Sequence, residues 1–438
     1  FRPSAVRGDR SGRGARMRPH LRQVLGAAAV GAGLALGDPG SPGALSDAQA
    51  RDAAVAWGLL TDDSTGGTAP TVLVLVDGLG LELLRERLGH APVLRSWLSA
   101  TRSGPGPGPS ARTCTPSTTA AALTTLGTGA LPGTTGMVGY SVLNPMLGGS
   151  LPVGTTPHPD QNLNLITWEG RAPDPRAWQD VPTIFERLER LERGPDRSRS
   201  AREGGAPLAV TIGPARFTGS GLTLAALRGA PHLGADRLES RPGLAAEALR
   251  RGTPLVYLYV GELDHTGHNH GWRSMRWLEQ LERLDAAMAE LARRAPAGTR
   301  IIVTADHGMV DTGPDRRIDL AARPALARDV VAVAGEPRFT HLYVPGSDPA
   351  IAAEVAERWR DELGERALWI GTRSRAARHL GPIGQRTAGV LGDVLVAMNQ
   401  EWVVVDPRVH SESAMAMPGV HGSLTDAETS IPLLVTGT

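Results

Sequence analysis

The chain has 438 residues, 46 basic and 45 acidic side chains, and a formal charge of +1. A single cysteine excludes an internal disulfide and any zinc site built on several cysteines. The near-neutral balance excludes a nucleic-acid binder driven by a basic surface, and the length admits one large α/β domain or two to three smaller ones.

All 46 cations are arginine, and aromatic residues make up only 4% of the chain. The core must therefore be built from Leu, Val and Ala, and arginine is the only fixed cation available to anions.

In chain order, residues 1–16 hold five arginines among Gly and Ser and read as a disordered extension. Met17 is a candidate start, and 17–69 reads as an N-terminal helical segment. The apolar run VLGAAAVGAGLAL (24–36) follows Arg18 and Arg22. It is too short to span a bilayer. It has the length of a signal-peptide core, but no A-x-A cleavage site follows it. The expected compartment is the cytoplasm, with secretion the alternative if 17–37 is a signal peptide. No later segment reaches ~18 apolar residues, so no membrane span is expected.

The run TVLVLV (71–76) predicts a strand buried on both faces. Further strands are expected at 207–212, 254–260, 299–305 and 431–437, with helices at 79–88, 118–127, 181–192, 241–251 and 272–294. GPGPGPS (104–110) reads as a loop, and the Arg-rich stretch 192–207 as a solvated surface excursion. The alternation predicts an α/β fold: a mostly parallel central sheet with helices on both faces. Between 336 and 408 the order changes to short strands with helices 348–363 and 372–380, which suggests a small inserted α+β cap. The expected division is a catalytic core at 70–335, the cap at 336–408 and a return to the core at 409–438.

In open parallel sheets ligands collect beyond the carboxyl ends of the strands. Here those ends carry metal-type side chains. Strand 71–76 runs into Asp77, strand 254–260 is followed by Glu262, Asp264 and His268, strand 299–305 runs into Asp306 and His307, and His421 stands in GVHGS before the last strand. Asp77 alone could be a helix N-cap. Asp264 and His268 lie four apart, so one helical turn puts them on one face, a carboxylate–imidazole pair suited to zinc. His265 and His270 would then point elsewhere. Adjacent Asp306 and His307 cannot share a helix face, but in an irregular turn they reach two points a few Å apart, as a two-metal site requires. In TCTPSTTAAALTTLGTG (113–129), Pro116 and the hydroxyls of Ser117, Thr118 and Thr119 mark a helix start. Free N–H groups there attract a phosphate-like anion, and a hydroxyl activated by a metal becomes a nucleophile.

These pieces, LVDGLG (75–80), PSTTAAALTTLGTGALPGTTGMVGY (116–140), DHTGHNHG (264–271), TADHGM (304–309) and GVHG (419–422), stand in the order of the alkaline phosphatase superfamily. The chain most resembles its nucleotide pyrophosphatase/phosphodiesterase branch. The resemblance implies a metal-dependent hydrolase with two zinc ions per chain. Asp264, His268 and His421 would hold one, and Asp77, Asp306 and His307 the other, with Thr119 touching it. Thr119 lies ten residues before Gly129 of the Thr-Gly-x-x-Pro turn, the family's spacing for the nucleophile; Thr118 and Ser117 are the fallback choices. The implied mechanism is two in-line displacements through a phospho-threonine, with the N–H groups near Thr119 and Ala120 binding the developing charge. Tyr140 stands where the family often places an Asn on the phosphate, and Ala120, Ala121 and Ala122 replace its Phe-Pro-Asn, so a base-stacking Phe is missing.

The expected substrate is a small phosphate ester, with no binding of duplex nucleic acid. A phosphomonoesterase, phosphonate hydrolase or phosphomutase on the same metal core is the alternative. A sulfatase fails because Cys114 is fifteen residues before Gly129 and Thr118 replaces the required Arg. A dinucleotide-binding fingerprint fails because Leu83 stands where its third Gly belongs. A catalytically inactive phosphate- or nucleotide-binding protein is the remaining alternative from another class.

Overall fold

The computed structural model describes residues 18–60, 67–103, 106, 108–147, 161–193 and 205–438. The expected extension 1–16, Met17 and most of the excursion at 192–207 lie outside the described residues, as does part of the loop at 104–110.

A seven-stranded sheet forms the centre. Its order is Ser110–Arg112, Ser430–Gly437, Arg300–Thr304, Thr71–Val76, Leu255–Val260, Ala209–Gly213 and His232–Gly234. The strand Thr71–Val76 lies in the middle, parallel to both neighbours. All six of its residues are buried, as a strand covered on both faces requires. The last strand, Ser430–Gly437, runs antiparallel to Arg300–Thr304 and Ser110–Arg112, a direction that its apolar run does not encode.

Helices pack in two groups. Met275–Arg294 packs against both Pro92–Ser103 and Arg241–Arg250, while Leu21–Gly31, Asp47–Ala56, Thr119–Thr128 and Gly221–Ala226 form the second set. In Met275–Arg294 apolar residues recur at 3–4 spacing; Leu278, Leu281, Leu284, Met288 and Leu291 are buried as its core face, while Met275, expected on that face, is exposed at the helix start. That helix begins at Met275 rather than 272 because the Ser274 hydroxyl accepts from Trp277 N and caps it. Helix Leu21–Gly31 buries Leu21, Val24, Leu25 and Ala27 to Val30, and Arg22 donates to the carbonyls of Gly129 and Gly43. The apolar run near the N-terminus is thus packed into the main core. No helix among the described residues is long and apolar enough to cross a membrane.

A second, antiparallel sheet has the order Ala332–Glu336, Phe339–Tyr343, Val394–Met398 and Ala367–Thr372. Helix Pro349–Leu363 packs on it around the fully buried Trp359, whose indole donates to the Leu326 carbonyl. The sheet opens at Ala332, ahead of residue 336, because Ala332–Glu336 turns directly into Phe339–Tyr343 as a hairpin. The short pair Val310–Asp311 and Gly419–Val420 then leads the chain back to the central sheet.

Candidate two-metal site

The strand order delivers the acidic residues to one place. Thr71–Val76 and Arg300–Thr304 are neighbours, so Asp77 and Asp306 leave the same end of the sheet side by side. The N–H groups of Gly78 and His307 both donate to Asp306 Oδ1, at 3.1 and 2.9 Å. On the other side, Leu255–Val260 runs into helix Glu262–His270. Asp264 and His268 lie one turn apart on it, with His268 Nε2 3.3 Å from Asp264 Oδ2. The strand pair with Val310–Asp311 carries His421 in. Its Nε2 lies 3.2 Å from His268 Nε2 and 3.7 Å from Asp264 Oδ1. His307 Nε2 is 3.3 Å from Asp306 Oδ2 and 3.5 Å from Asp77 Oδ1. The rings of His307 and His421 stack at 3.7 Å, joining the two halves. Donor atoms of Asp77, Asp306 and His307 lie within 4.8 Å of one another, and so do those of Asp264, His307 and His421. His307 therefore stands between two donor sets.

The three histidines share one device. Each turns Nδ1 to a backbone carbonyl: His268 to Gly419 at 2.8 Å, His307 to Gly308 at 3.0 Å and His421 to Ser117 at 2.9 Å. A carbonyl only accepts, so each Nδ1 carries a proton and each Nε2 is the nitrogen turned to the cluster. Asp77 Oδ1, Asp264 Oδ1 and Asp306 Oδ2 are buried with no hydrogen-bond partner. Buried carboxylate oxygens do not stay orphaned without compensation.

The electrostatics agree. Burial, then the charges of Asp306 and Asp264, push Asp77 well above the usual carboxylate range. Burial likewise raises Asp306. Burial and the neighbouring His307 hold His421 well below an ordinary imidazole. Burial alone would lower His268, but Asp264 overrides it and pushes it up to about 9. Three carboxylates and three imidazole Nε2 atoms turned on one another form a donor set that divalent cations satisfy once His268 gives up its proton, and O/N donors in this mixture suit zinc.

Thr119 opens helix Thr119–Thr128, with its hydroxyl 3.2 Å from His307 Nε2. Thr118 is the N-cap but its side chain makes no capping bond. The first N–H groups of the helix, Ala120 included, thus point from the helix start without a partner from that side chain. Ser117 is committed elsewhere: its hydroxyl donates to the Ser423 carbonyl at 2.7 Å, and its N–H to Gly422. Cys114 is buried, and that burial pushes its thiol up to about 12, the state of an inert core residue. His265 lies against Asn269 and His270 against Arg276, away from the cluster. Tyr140 is exposed; its hydroxyl accepts from Asn164 Nδ2, and it is not among the side chains that line the cavity beside Thr119.

Two partners escaped the sequence reading. The Tyr259 hydroxyl donates to Asp77 Oδ2 at 2.5 Å. The fully buried Arg241 grips both oxygens of Glu262, at 2.6 and 2.9 Å, beneath the helix that carries Asp264 and His268. Each joins residues from different elements, so no local pattern announces it. Beside Thr119 a cavity of about 400 Å³ is walled by Leu123, Phe217, Leu227 and Tyr259, with Arg216 at its rim.

Comparison with known proteins places this geometry. The model of the type I phosphodiesterase/nucleotide pyrophosphatase family matches residues 71–424. No curated protein matches. Among solved structures, phosphonoacetate hydrolase from Sinorhizobium meliloti 1021 is similar at a TM-score of 0.60 and 18% identity, covering 84% of this chain and 89% of that one. Murine ectonucleotide pyrophosphatase/phosphodiesterase 5 is similar at a TM-score of 0.57 and 15% identity, covering 84% and 88%. These likenesses show a shared fold, and the family match spans most of the chain. The chain belongs to the type I phosphodiesterase/nucleotide pyrophosphatase family of the alkaline phosphatase superfamily, and is a phosphoester hydrolase.

Proposed function

We propose that this hydrolase is a two-zinc phosphodiesterase or pyrophosphatase with Thr119 as its nucleophile. The observation that carries the reading is the convergence of six donors at one end of the sheet, with the Thr119 hydroxyl 3.2 Å from His307 Nε2. The three imidazoles have their Nδ1 atoms tied to carbonyls, and each carboxylate keeps one orphan oxygen. Asp264, His268 and His421 would hold one ion, and Asp77, Asp306 and His307 the other. Zinc bound there supplies the positive charge that ionises a hydroxyl or water and stabilises a leaving alkoxide.

The chain's own groups do the rest. The Thr119 hydroxyl gives its proton to solvent and its oxygen attacks phosphorus in line as the bond to the leaving oxygen breaks, the departing alkoxide taking a proton from solvent. The phosphoryl group then rests on Thr119, and water displaces it in a second attack that restores the hydroxyl. The N–H groups at Thr119 and Ala120 face the equatorial oxygens in both steps. Support for the nucleophile comes from the murine relative, whose inactive form in complex with AMP carries an alanine in place of a threonine. Phosphonate hydrolysis is the second reading, supported by the likeness to a phosphonoacetate hydrolase solved with phosphonoacetate. A cytoplasmic setting is the companion proposal, supported by the burial of helix Leu21–Gly31 in the main core.

One experiment separates these readings. Turnover of bis-p-nitrophenyl phosphate, p-nitrophenyl phosphate and phosphonoacetate is compared on protein whose metal content has been measured. The expected result is two zinc per chain and preference for the diester. Activity in metal-free protein overturns the zinc assignment, and preference for phosphonoacetate overturns the diester.

A further inference from the structure

Tyr259 is the next-to-last residue of strand Leu255–Val260, at the end of the sheet where the donors gather. Its hydroxyl donates to Asp77 Oδ2, which leaves Asp77 Oδ1 turned to His307 Nε2 at 3.5 Å. That single bond fixes the rotation of a carboxylate which otherwise sits at the very end of its own strand. Gly261 makes room for it: a Cβ there would lie 2.8 Å from the Tyr259 hydroxyl. The Arg241 guanidinium also donates to the Tyr259 carbonyl, so the backbone is held as well.

The ring of the same residue does something else. It meets Phe217 edge-on, with centroids 5.6 Å apart at 81°, and both rings line the cavity that opens at Thr119. Four of the polar side chains of that cavity are spent on each other. Thr211 and His232 bond at 2.9 Å, and Ser220 and Thr223 at 3.0 Å. Leu123, Ile212, Leu227 and the two rings form its apolar wall, which suits an apolar body, with Thr167, Glu169 and Arg216 as polar side chains beside it.

We propose that Tyr259 is at once a positioning residue for Asp77, through its hydroxyl, and a specificity wall for an apolar or aromatic ester group seated beside Thr119, through its ring. The proposal deepens the two-zinc reading and rests on it. Carboxylates that ligate metals are held by such outer partners, and losing one typically weakens metal binding by about 10–100-fold. An apolar pocket contact discriminates ester groups by about 10–200-fold.

Two substitutions separate the two roles. Tyr259→Phe removes the hydrogen bond and keeps the ring. It is expected to weaken one of the two zinc ions by about 10-fold in chelator competition, and to lower kcat while leaving KM for phenyl p-nitrophenyl phosphate in place. Gly261→Ala, which crowds the hydroxyl, should reproduce that metal loss. Tyr259→Ser removes the wall too. It is expected to raise KM for the phenyl ester by about 10-fold with little change for methyl p-nitrophenyl phosphate. Phe217→Ala gives the same KM arm should Tyr259→Ser fail to fold. Unchanged zinc affinity in Tyr259→Phe overturns the positioning role, and an unchanged ratio of the two KM values overturns the wall. Wild-type protein that binds no zinc and turns over neither ester sinks the two-zinc reading itself. Wild-type protein that binds zinc and turns over, with variants matching it, sinks this inference alone.

Discussion

Ser117, Thr118 and Thr119 are three consecutive hydroxyls, and their surroundings separate them. Ser117 is fully buried and donates to the Ser423 carbonyl, so it fastens the loop of His421 to the start of the helix. Thr118 is buried at the cap. Thr119 alone is partly open, lines the cavity and faces His307 Nε2. Thr119→Ala is therefore expected to lower diester turnover by about 10³-fold or more, while two zinc ions remain bound. Ser117→Ala should instead lower stability by about 1–3 kcal/mol in urea melts, as an orphaned buried carbonyl does. Activity surviving in Thr119→Ala and lost in Thr118→Ala would move the nucleophile by one residue. At this scale the sequence was informative wherever chemistry is local. Asp77, Asp306 and His307 follow strands directly, and Asp264 and His268 are one helical turn apart. Tyr259 was silent because its partner is 182 residues away. At Tyr140 the position along the chain pointed to a phosphate contact, and the fold adds a partner the chain did not show, since its hydroxyl accepts from Asn164.

Helix Glu262–His270 is nine residues long and carries Asp264 and His268. Two glycines bound it, and neither supplies a side-chain cap. An element this short is not held by its own propensity. Its hold comes from below. The Arg241 guanidinium is fully buried and spends its donors on Glu262 and on the carbonyls of Ala235, Asp236 and Tyr259. Removing Glu262 leaves that buried charge without its counter-ion, so Glu262→Ala is expected to cost about 3–5 kcal/mol, read by urea denaturation. Zinc at the Asp264–His268–His421 set should weaken in parallel. A loss below about 1 kcal/mol, the scale of an exposed ion pair, would show that the clamp does not hold the helix. The clamp was invisible in the chain, where Glu262 stood only as one more acid beside DHTGHNHG. Elements with strong internal signals were readable: TVLVLV is apolar throughout because the strand is covered on both faces, and Met275–Arg294 repeats its apolar residues at helical spacing. The direction of the last strand and the hairpin that opens the second sheet depend on partners far along the chain, so the local pattern could not carry them.

For the molecule as a whole, the site stores unfavourable charge that a bound cation would relieve. Without a cation the folded chain crowds three carboxylates together, and Asp77 and Asp306 respond by holding protons above the usual range. His268, held charged by Asp264, keeps its proton up to about 9. A group whose folded pKa is raised binds more protons in the folded than in the unfolded state. Its contribution to stability is present below the unfolded value and is lost as pH rises through the folded one. For His268 that loss runs from about 6.5, the unfolded imidazole, to about 9. Across this window the metal-free protein therefore loses stability as pH rises. A zinc-bound form is expected to behave oppositely, because ligands bind metal deprotonated and affinity grows with pH. Two ions, each at about 100 times its Kd, add about 5 kcal/mol in total. In a chain of this size that corresponds to a Tm rise of about 5–10 °C. Chelation is accordingly expected to lower Tm by that amount at pH 7, and by more at pH 8.5. Calorimetric scans with and without chelator at the two values measure it. A Tm indifferent to chelator at both would mean that the six donors fold without needing a cation. A shift that shrinks toward pH 8.5 would mean that His268 does not give up a proton to make room for one.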